Sequence, residues 1–164
     1  PDPLLRTPMR WGPGPKAGFT TGTPWEALSP DGPAISVSAQ TGDPNSLLNL
    51  YRRLIHLRRE NDALAAGTLV PLAPSSPQVV AYLRRAGDRA ALVVANLGDG
   101  PLSGLSLASG AGALAPGRYE SRNLLGGPVG VPLEVGGDGR VTGYPPLPEP
   151  IGRHQALVFE LRRR

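Results

Sequence analysis

QVVAYLRRAGDRAALVVANL, residues 78–97, decides the fold class. Two apolar runs, Val79-Val80-Ala81-Tyr82-Leu83 and Ala90-Ala91-Leu92-Val93-Val94-Ala95, flank the turn signal Ala86-Gly87-Asp88. Runs of this length and composition need a core to bury them, and a short Gly-Asp connection between them predicts a β-hairpin. Further extended segments are expected at 68–73, 102–107, 117–124, 130–135 and 154–161. Turns at Gly98-Asp99-Gly100-Pro101 and Gly136-Gly137-Asp138-Gly139 separate some of them. Short strands at this spacing without helices between them predict an antiparallel sandwich. Two long connections remain, Ser109 to Gly117 and Gly143 to Gly152. The second carries Pro145, Pro146, Pro148 and Pro150 and is expected to be an extended surface crossing.

Upstream the period changes. Asp43 is expected to cap a helix with Pro44 in its first turn, and Leu47, Leu48, Tyr51, Leu54, Ile55 and Arg58 recur at three- and four-residue steps. Leu50 and Leu57 broaden the apolar face, so this helix needs a large partner. Residues 1 to about 42 are loop-dominated, with a short strand expected at Ala34-Ile35-Ser36-Val37-Ser38.

That loop concentrates aromatic and cationic side chains. RTPMRW (residues 6–11) and GFTTGTPW (residues 18–25) hold both tryptophans, the only methionine and one of two phenylalanines, in a run too rich in Pro and Gly for regular structure. Two readings are open. Rings stack on apolar sugar faces while guanidinium donors bind hydroxyl oxygens, which suits a sugar-binding surface; alternatively the aromatics are buried and pin down a long loop.

Length and composition narrow the choice. The 164 residues hold one domain, or a small domain with an appendage, and cannot hold an eight-stranded β/α barrel of about 250 residues. Gly (22) and Pro (20) approach the range of disordered chains, but the apolar runs favour a folded domain with stiffened loops. The net charge of +4 comes with scattered arginine pairs, Arg52-Arg53, Arg58-Arg59 and Arg84-Arg85, and the tail Arg162-Arg163-Arg164. They accompany no nucleic-acid motif and read as solvated faces, so no nucleic-acid partner is expected. There is no cysteine, hence no disulfide or thiolate metal site. His56 and His154 stand apart from carboxylates in ligand spacing, and 136–139 lacks the Lys-Ser/Thr of a phosphate loop, so neither metal nor cofactor is expected. No apolar run approaches a membrane span and the start resembles no signal peptide, so a soluble, cytoplasmic protein is expected.

RTPMRW, GFTTGTPW, Ala39-Gln40 and the helix DPNSLLNLYRRLIHLRREN together resemble the C-terminal part of α-glucosidases and oligo-1,6-glucosidases of the α-amylase superfamily, glycoside hydrolase family 13. The match in order runs from Asp2 to Asn61. Gly12 stands where the family usually has Asp, and Arg10 where it often has Gln. The resemblance implies a mostly β chain: residues 1–62 as the final loop and last helix of a catalytic β/α barrel, and 63–164 as an antiparallel Greek-key β-sandwich. It implies a parent that hydrolyses or transfers α-linked glucose from small oligosaccharides, using two carboxylates about 5 Å apart that lie upstream of this motif. No catalytic residue is therefore assigned here, and the chain alone is expected to be silent. Glu26 and Asp31 lie near the loop without a scaffold that fixes a catalytic spacing.

The family's arginine at Arg6 helps hold the non-reducing-end glucose when the barrel is present; the alternative is a structural ion pair with Asp2. Met9, Trp11, Phe19 and Trp25 are expected to anchor the loop onto the barrel or onto the C-terminal domain. With the barrel missing, the helix face Leu47, Leu50, Leu54 and Leu57 is expected to be partly exposed or covered by self-association. Two rival readings are a trehalose synthase fragment, which shares the R-T-P-M-x-W loop, and a non-catalytic sugar-binding β-sandwich module.

Overall fold

The computed structural model describes residues 5–164. The chain divides into two compact units, Pro1–His56 and Leu57–Arg164. In the first, a 3-10 turn Pro33–Ile35 leads into α1 (Val37–Gly42) and then α2 (Leu47–Glu60), whose last turn passes into the second unit. The strand expected at 34–38 is therefore helical. Ser36 decides it, because its side chain accepts from the Ala39 amide at 3.3 Å and caps α1, offering the backbone a partner that a lone strand lacks.

The start expected for α2 also moves. The Asp43 carboxylate accepts from the Asn45 amide at 2.9 Å and forms a turn, while Ser46 Oγ accepts from the Asn49 amide at 3.2 Å and does the capping. Asn49 Nδ2 donates to the carbonyls of Gln40 and Asp43 at 2.9 and 2.7 Å, and Gln40 Oε1 accepts from the Leu48 amide at 3.0 Å. Side-chain amides thus lock α1 to the start of α2. Leu47, Tyr51, Leu54 and Ile55 are exposed on α2, and Leu50 and Leu57 are half-buried.

The second unit is β-rich. After a short helix α3 (Asp62–Ala66), capped by Asn61, come β1 (Thr68–Pro71), β2 (Ala73–Pro74), β3 (Val79–Ala86), β4 (Arg89–Asn96), β5 (Leu107–Ala108), β6 (Gly117–Asn123), β7 (Leu133–Val135) and β8 (Ala156–Arg163). Six strands form an antiparallel sheet in the order β1-β3-β4-β8-β6-β7, and β2 pairs with β5. The expected hairpin is present, with Val79 opposite Asn96 and Ala86 opposite Arg89. Its turn needs Gly87, whose φ is 57°.

Alternation along the strands places Val79, Ala81, Leu83, Leu92, Val94, Leu157, Phe159 and Leu161 in one buried cluster with Leu105, Leu107, Tyr144 and Ile151. On α3, Ala63 is fully buried and its carbonyl accepts from Arg84 Nε at 3.3 Å.

Four expectations are corrected here. The segment 102–107 is mostly irregular: Leu102 forms an isolated bridge with Ile151, and only Leu107–Ala108 is strand. At 130–135 the strand is confined to Leu133–Val135. The proline-rich segment 143–152 is not a surface crossing, since Tyr144, Pro146, Leu147 and Ile151 are buried and Tyr144 pairs with Leu107. Proline removes donors, and here Pro145, Pro148 and Pro150 are exposed while Pro146 is buried beside Leu147. Finally, β8 starts at Ala156 and not at His154, which sits before it in a turn with φ 50°, and it lies between β4 and β6.

Candidate functional site

The loop of residues 6–25 is a closed backbone structure. The amides of Trp11 and Gly12 both donate to the Ala17 carbonyl, at 2.8 and 3.0 Å, and Ala17 in turn donates to Gly14 at 2.8 Å. Ala17 is fully buried with φ 52°, and Gly18 follows with φ 68°. A side chain on Gly18 would meet Trp11 Cβ at 3.4 Å in a backbone conformation that L residues rarely adopt. The incoming segment is tied to α1 by the Val37 and Ser38 amides, which donate to the carbonyls of Arg10 and Trp11 at 2.9 and 3.1 Å.

On this frame Arg6 and Trp25 meet. The Arg6 guanidinium carbon lies 4.9 Å from the centre of the Trp25 ring, a cation–π contact between residues nineteen positions apart. Nothing in the sequence period pairs these two positions, and only the two halves of the aromatic run hinted at it. Met9, Trp11, Phe19 and Trp25 are all exposed in this chain, Trp25 to 61%. The alternative partner for Arg6, Asp2, lies outside the described residues.

Arg10, one of the two departures from the family pattern, donates through its guanidinium to the Ser29 carbonyl, while its Nε is buried without a partner. The side chain is therefore directed into the loop. Asp31 accepts from the Ser29 hydroxyl, which engages one of the local carboxylates. Glu26 is half-buried.

In the second unit a cleft of about 730 Å³ is lined by Arg89, Arg122, Arg162 and Arg163 together with Asp88 and Glu160. Its arginines all face carboxylates. Arg122 and Arg162 bind the Glu160 carboxylate at 2.8 and 2.9 Å, Arg163 faces Asp88 at 3.9 Å, and Arg89 faces Asp62 at 3.3 Å. Burial pushes the Glu160 carboxyl up, but the bonds from Arg122 and Arg162 outweigh it and hold the group below the usual glutamate range. The terminal arginines thus form an ion-pair network and not a bare cationic stripe. Among the described residues no helix is long and apolar enough to cross a membrane.

The α-amylase catalytic-domain family model matches residues 1–67. A probable oligo-1,6-glucosidase of Bacillus subtilis is 44% identical over 91 residues, which cover 56% of this chain and 16% of that protein. The trehalose-6-phosphate hydrolase of Escherichia coli is 40% identical over 92 residues, 56% of this chain and 17% of that one. Residues 1–67 are a segment of the α-amylase superfamily. It spans less than a fifth of the length of these two curated relatives. Among solved structures, the trehalulose synthase of Pseudomonas mesoacidophila superposes with a TM-score of 0.69 at 28% identity, over 96% of this chain and 25% of that one. The superfamily is one of glycoside hydrolases, and the segment its catalytic-domain model matches contains the loop, the Arg6–Trp25 contact and α2.

Proposed function

We propose that this chain is the C-terminal part of a longer α-glucosidase-type enzyme that hydrolyses or transfers α-linked glucose from small oligosaccharides. Residues 1–62 are its final loop and last barrel helix, and 63–164 its C-terminal domain, with the six-stranded sheet and the β2/β5 ribbon as two layers of a Greek-key sandwich. The observation that carries this reading is the RTPMRW–GFTTGTPW loop, which lies within the α-amylase match and presents Arg6 and four large apolar side chains to the outside. Arg6 contributes donors to a sugar at the rim of the site, and the nucleophile and acid/base come from the rest of the barrel. Met9, Trp11, Phe19, Trp25 and the exposed face of α2 are covered by that barrel, or by self-association when it is missing.

By itself the chain is catalytically silent. The test has two arms. The purified 164-residue chain is expected to leave p-nitrophenyl α-glucoside untouched, and the longer protein that carries it is expected to release glucose from isomaltose or maltose. Turnover by the chain alone would overturn its assigned silence, and failure of the longer protein on every α-glucoside would overturn the function. Trehalose as the product from maltose would redirect the reading to a synthase.

A further inference from the structure

We propose that Trp25 is a positioning residue for Arg6, its indole holding the guanidinium in the orientation in which it meets a glucosyl unit. The inference rests on the α-glucosidase reading above. The contact is 4.9 Å from guanidinium carbon to ring centre, and it joins the two ends of the loop. Both ends are fixed by their surroundings. Next to Arg6 the chain passes through buried Pro8 and is bonded to α1 through the carbonyls of Arg10 and Trp11. Before Trp25, Lys16 Nζ donates to the Thr21 carbonyl at 2.6 Å, the Gly22 amide donates to Thr20 Oγ1 at 3.1 Å, and Pro24 is half-buried.

The ring meets the guanidinium at one side only, and a guanidinium carries five N–H donors in a planar fork, so the indole contact and hydrogen bonds to sugar hydroxyls are compatible. An arginine stem has many rotamers, and holding it before substrate arrives removes part of the ordering cost of binding. Trp25 therefore acts on affinity through Arg6 and touches no reacting atom.

In the full-length enzyme, Trp25→Ala is expected to raise KM for p-nitrophenyl α-glucoside about three- to tenfold with kcat within about twofold, the pattern of a lost binding contact of cation–π size. Trp25→Phe keeps a π face and is expected to stay within about twofold of the unsubstituted enzyme; Trp25→Leu keeps bulk alone and is expected to behave like Trp25→Ala. In an Arg6→Ala background, Trp25→Ala is expected to add nothing. A Leu variant as good as Phe, or additive effects of the two alanines, would overturn the proposal.

A second readout uses the 164-residue chain itself. The Arg6 side-chain proton resonances are expected to show an upfield ring-current shift that Trp25→Leu abolishes and Trp25→Phe retains, and an unshifted Arg6 in the unsubstituted chain overturns the contact. An unsubstituted full-length enzyme inactive on every α-glucoside overturns the functional reading, and the positioning role with it, while leaving the contact to the resonance test.

Discussion

Asn96, at the end of β4, is 1% exposed and holds three backbone segments together. Its Nδ2 donates to the carbonyls of Gly100 and Gly152, both at 2.9 Å, and its Oδ1 accepts from the Gly98 amide at 3.0 Å. A Cβ on Gly98 would displace the end of the exposed Gln78 side chain and stand 3.1 Å from Asn96 Oδ1. Replacing Asn96 by Ala removes these three hydrogen bonds, each worth about 1 kcal/mol net, together with a longer one to the Ile151 carbonyl at 3.4 Å, and orphans the buried Gly98 N–H at a further cost of about 1 kcal/mol or more. The half-buried carbonyls of Gly100 and Gly152 can turn to water, which trims the total to about 3 kcal/mol. For a unit of this size that corresponds to a fall in Tm of about 10 °C or more. Asn96→Asp keeps the acceptor but sets a carboxylate against two carbonyl oxygens, so it is expected to be no better than Ala at pH 7. Urea unfolding followed by circular dichroism gives the number. A loss below about 1 kcal/mol for Asn96→Ala would refute the reasoning, because it would mean that the amide holds nothing that water cannot.

Gly130→Ala places a Cβ 2.8 Å from Ser121 Cβ and 3.0 Å from Phe159 Cε1, and Phe159 is fully buried and cannot yield. Overpacking of this kind is expected to cost about 1–3 kcal/mol by denaturant titration, and less in a Ser121→Gly background. Glu160, whose side chain is 18% exposed, titrates below the ordinary glutamate value in the folded chain. A depressed folded value means that the stabilisation is complete above the unfolded value of about 4.3 and is lost as the pH falls through the folded one. Glu160→Gln is therefore expected to lower Tm at pH 7 and to converge with the unsubstituted chain near pH 3; equal Tm differences at both pH values would contradict it. On α2, the triple change Leu47→Gln, Tyr51→Gln, Ile55→Gln removes exposed apolar surface and is expected to reduce dye binding and self-association with little effect on unfolding.

Much of the β-rich unit was legible because its signals are local. Val79–Leu83 and Ala90–Ala95 alternate or run apolar on either side of a Gly-Asp turn, and period and turn chemistry agree on a hairpin whose register follows. Where the reading failed, a side chain far along the sequence or a specific cap had decided the outcome. Ile35 and Val37 look like strand residues, yet Ser36 between them caps a helix. The prolines of 145–150 read as surface because their pattern does not reveal that Tyr144 and Ile151 find partners in Leu107 and Leu102, tens of residues upstream. The candidate site divides in the same way. Its residue types and order were visible in RTPMRW and GFTTGTPW, while the contact of Arg6 with Trp25 joins positions nineteen apart across a loop folded around Ala17, which no period encodes.

The two units differ in how they dispose of apolar surface, and this difference bears on function. The second buries Leu83, Leu92, Leu107, Ile151, Phe159 and Leu161 almost completely and so closes its own core. The first leaves Met9, Trp11, Phe19, Trp25, Leu47, Tyr51 and Ile55 exposed. Fully burying side chains of this size contributes about 1.5–3 kcal/mol each, so a surface that leaves these seven 42–64% exposed forgoes part of that stabilisation at every one. A stand-alone sugar-binding module has a reason to expose one or two aromatic platforms on its loop, but none to expose the aliphatic face of α2 as well. A segment seated against the rest of a catalytic domain has a reason to expose both. The two accounts part on one measurement. If the exposed loop is a self-sufficient sugar site, the 164-residue chain binds maltose or isomaltose with Kd below about 1 mM in a calorimetric titration. If the loop is only the rim of a site, the chain binds neither sugar, and affinity returns only in the longer protein.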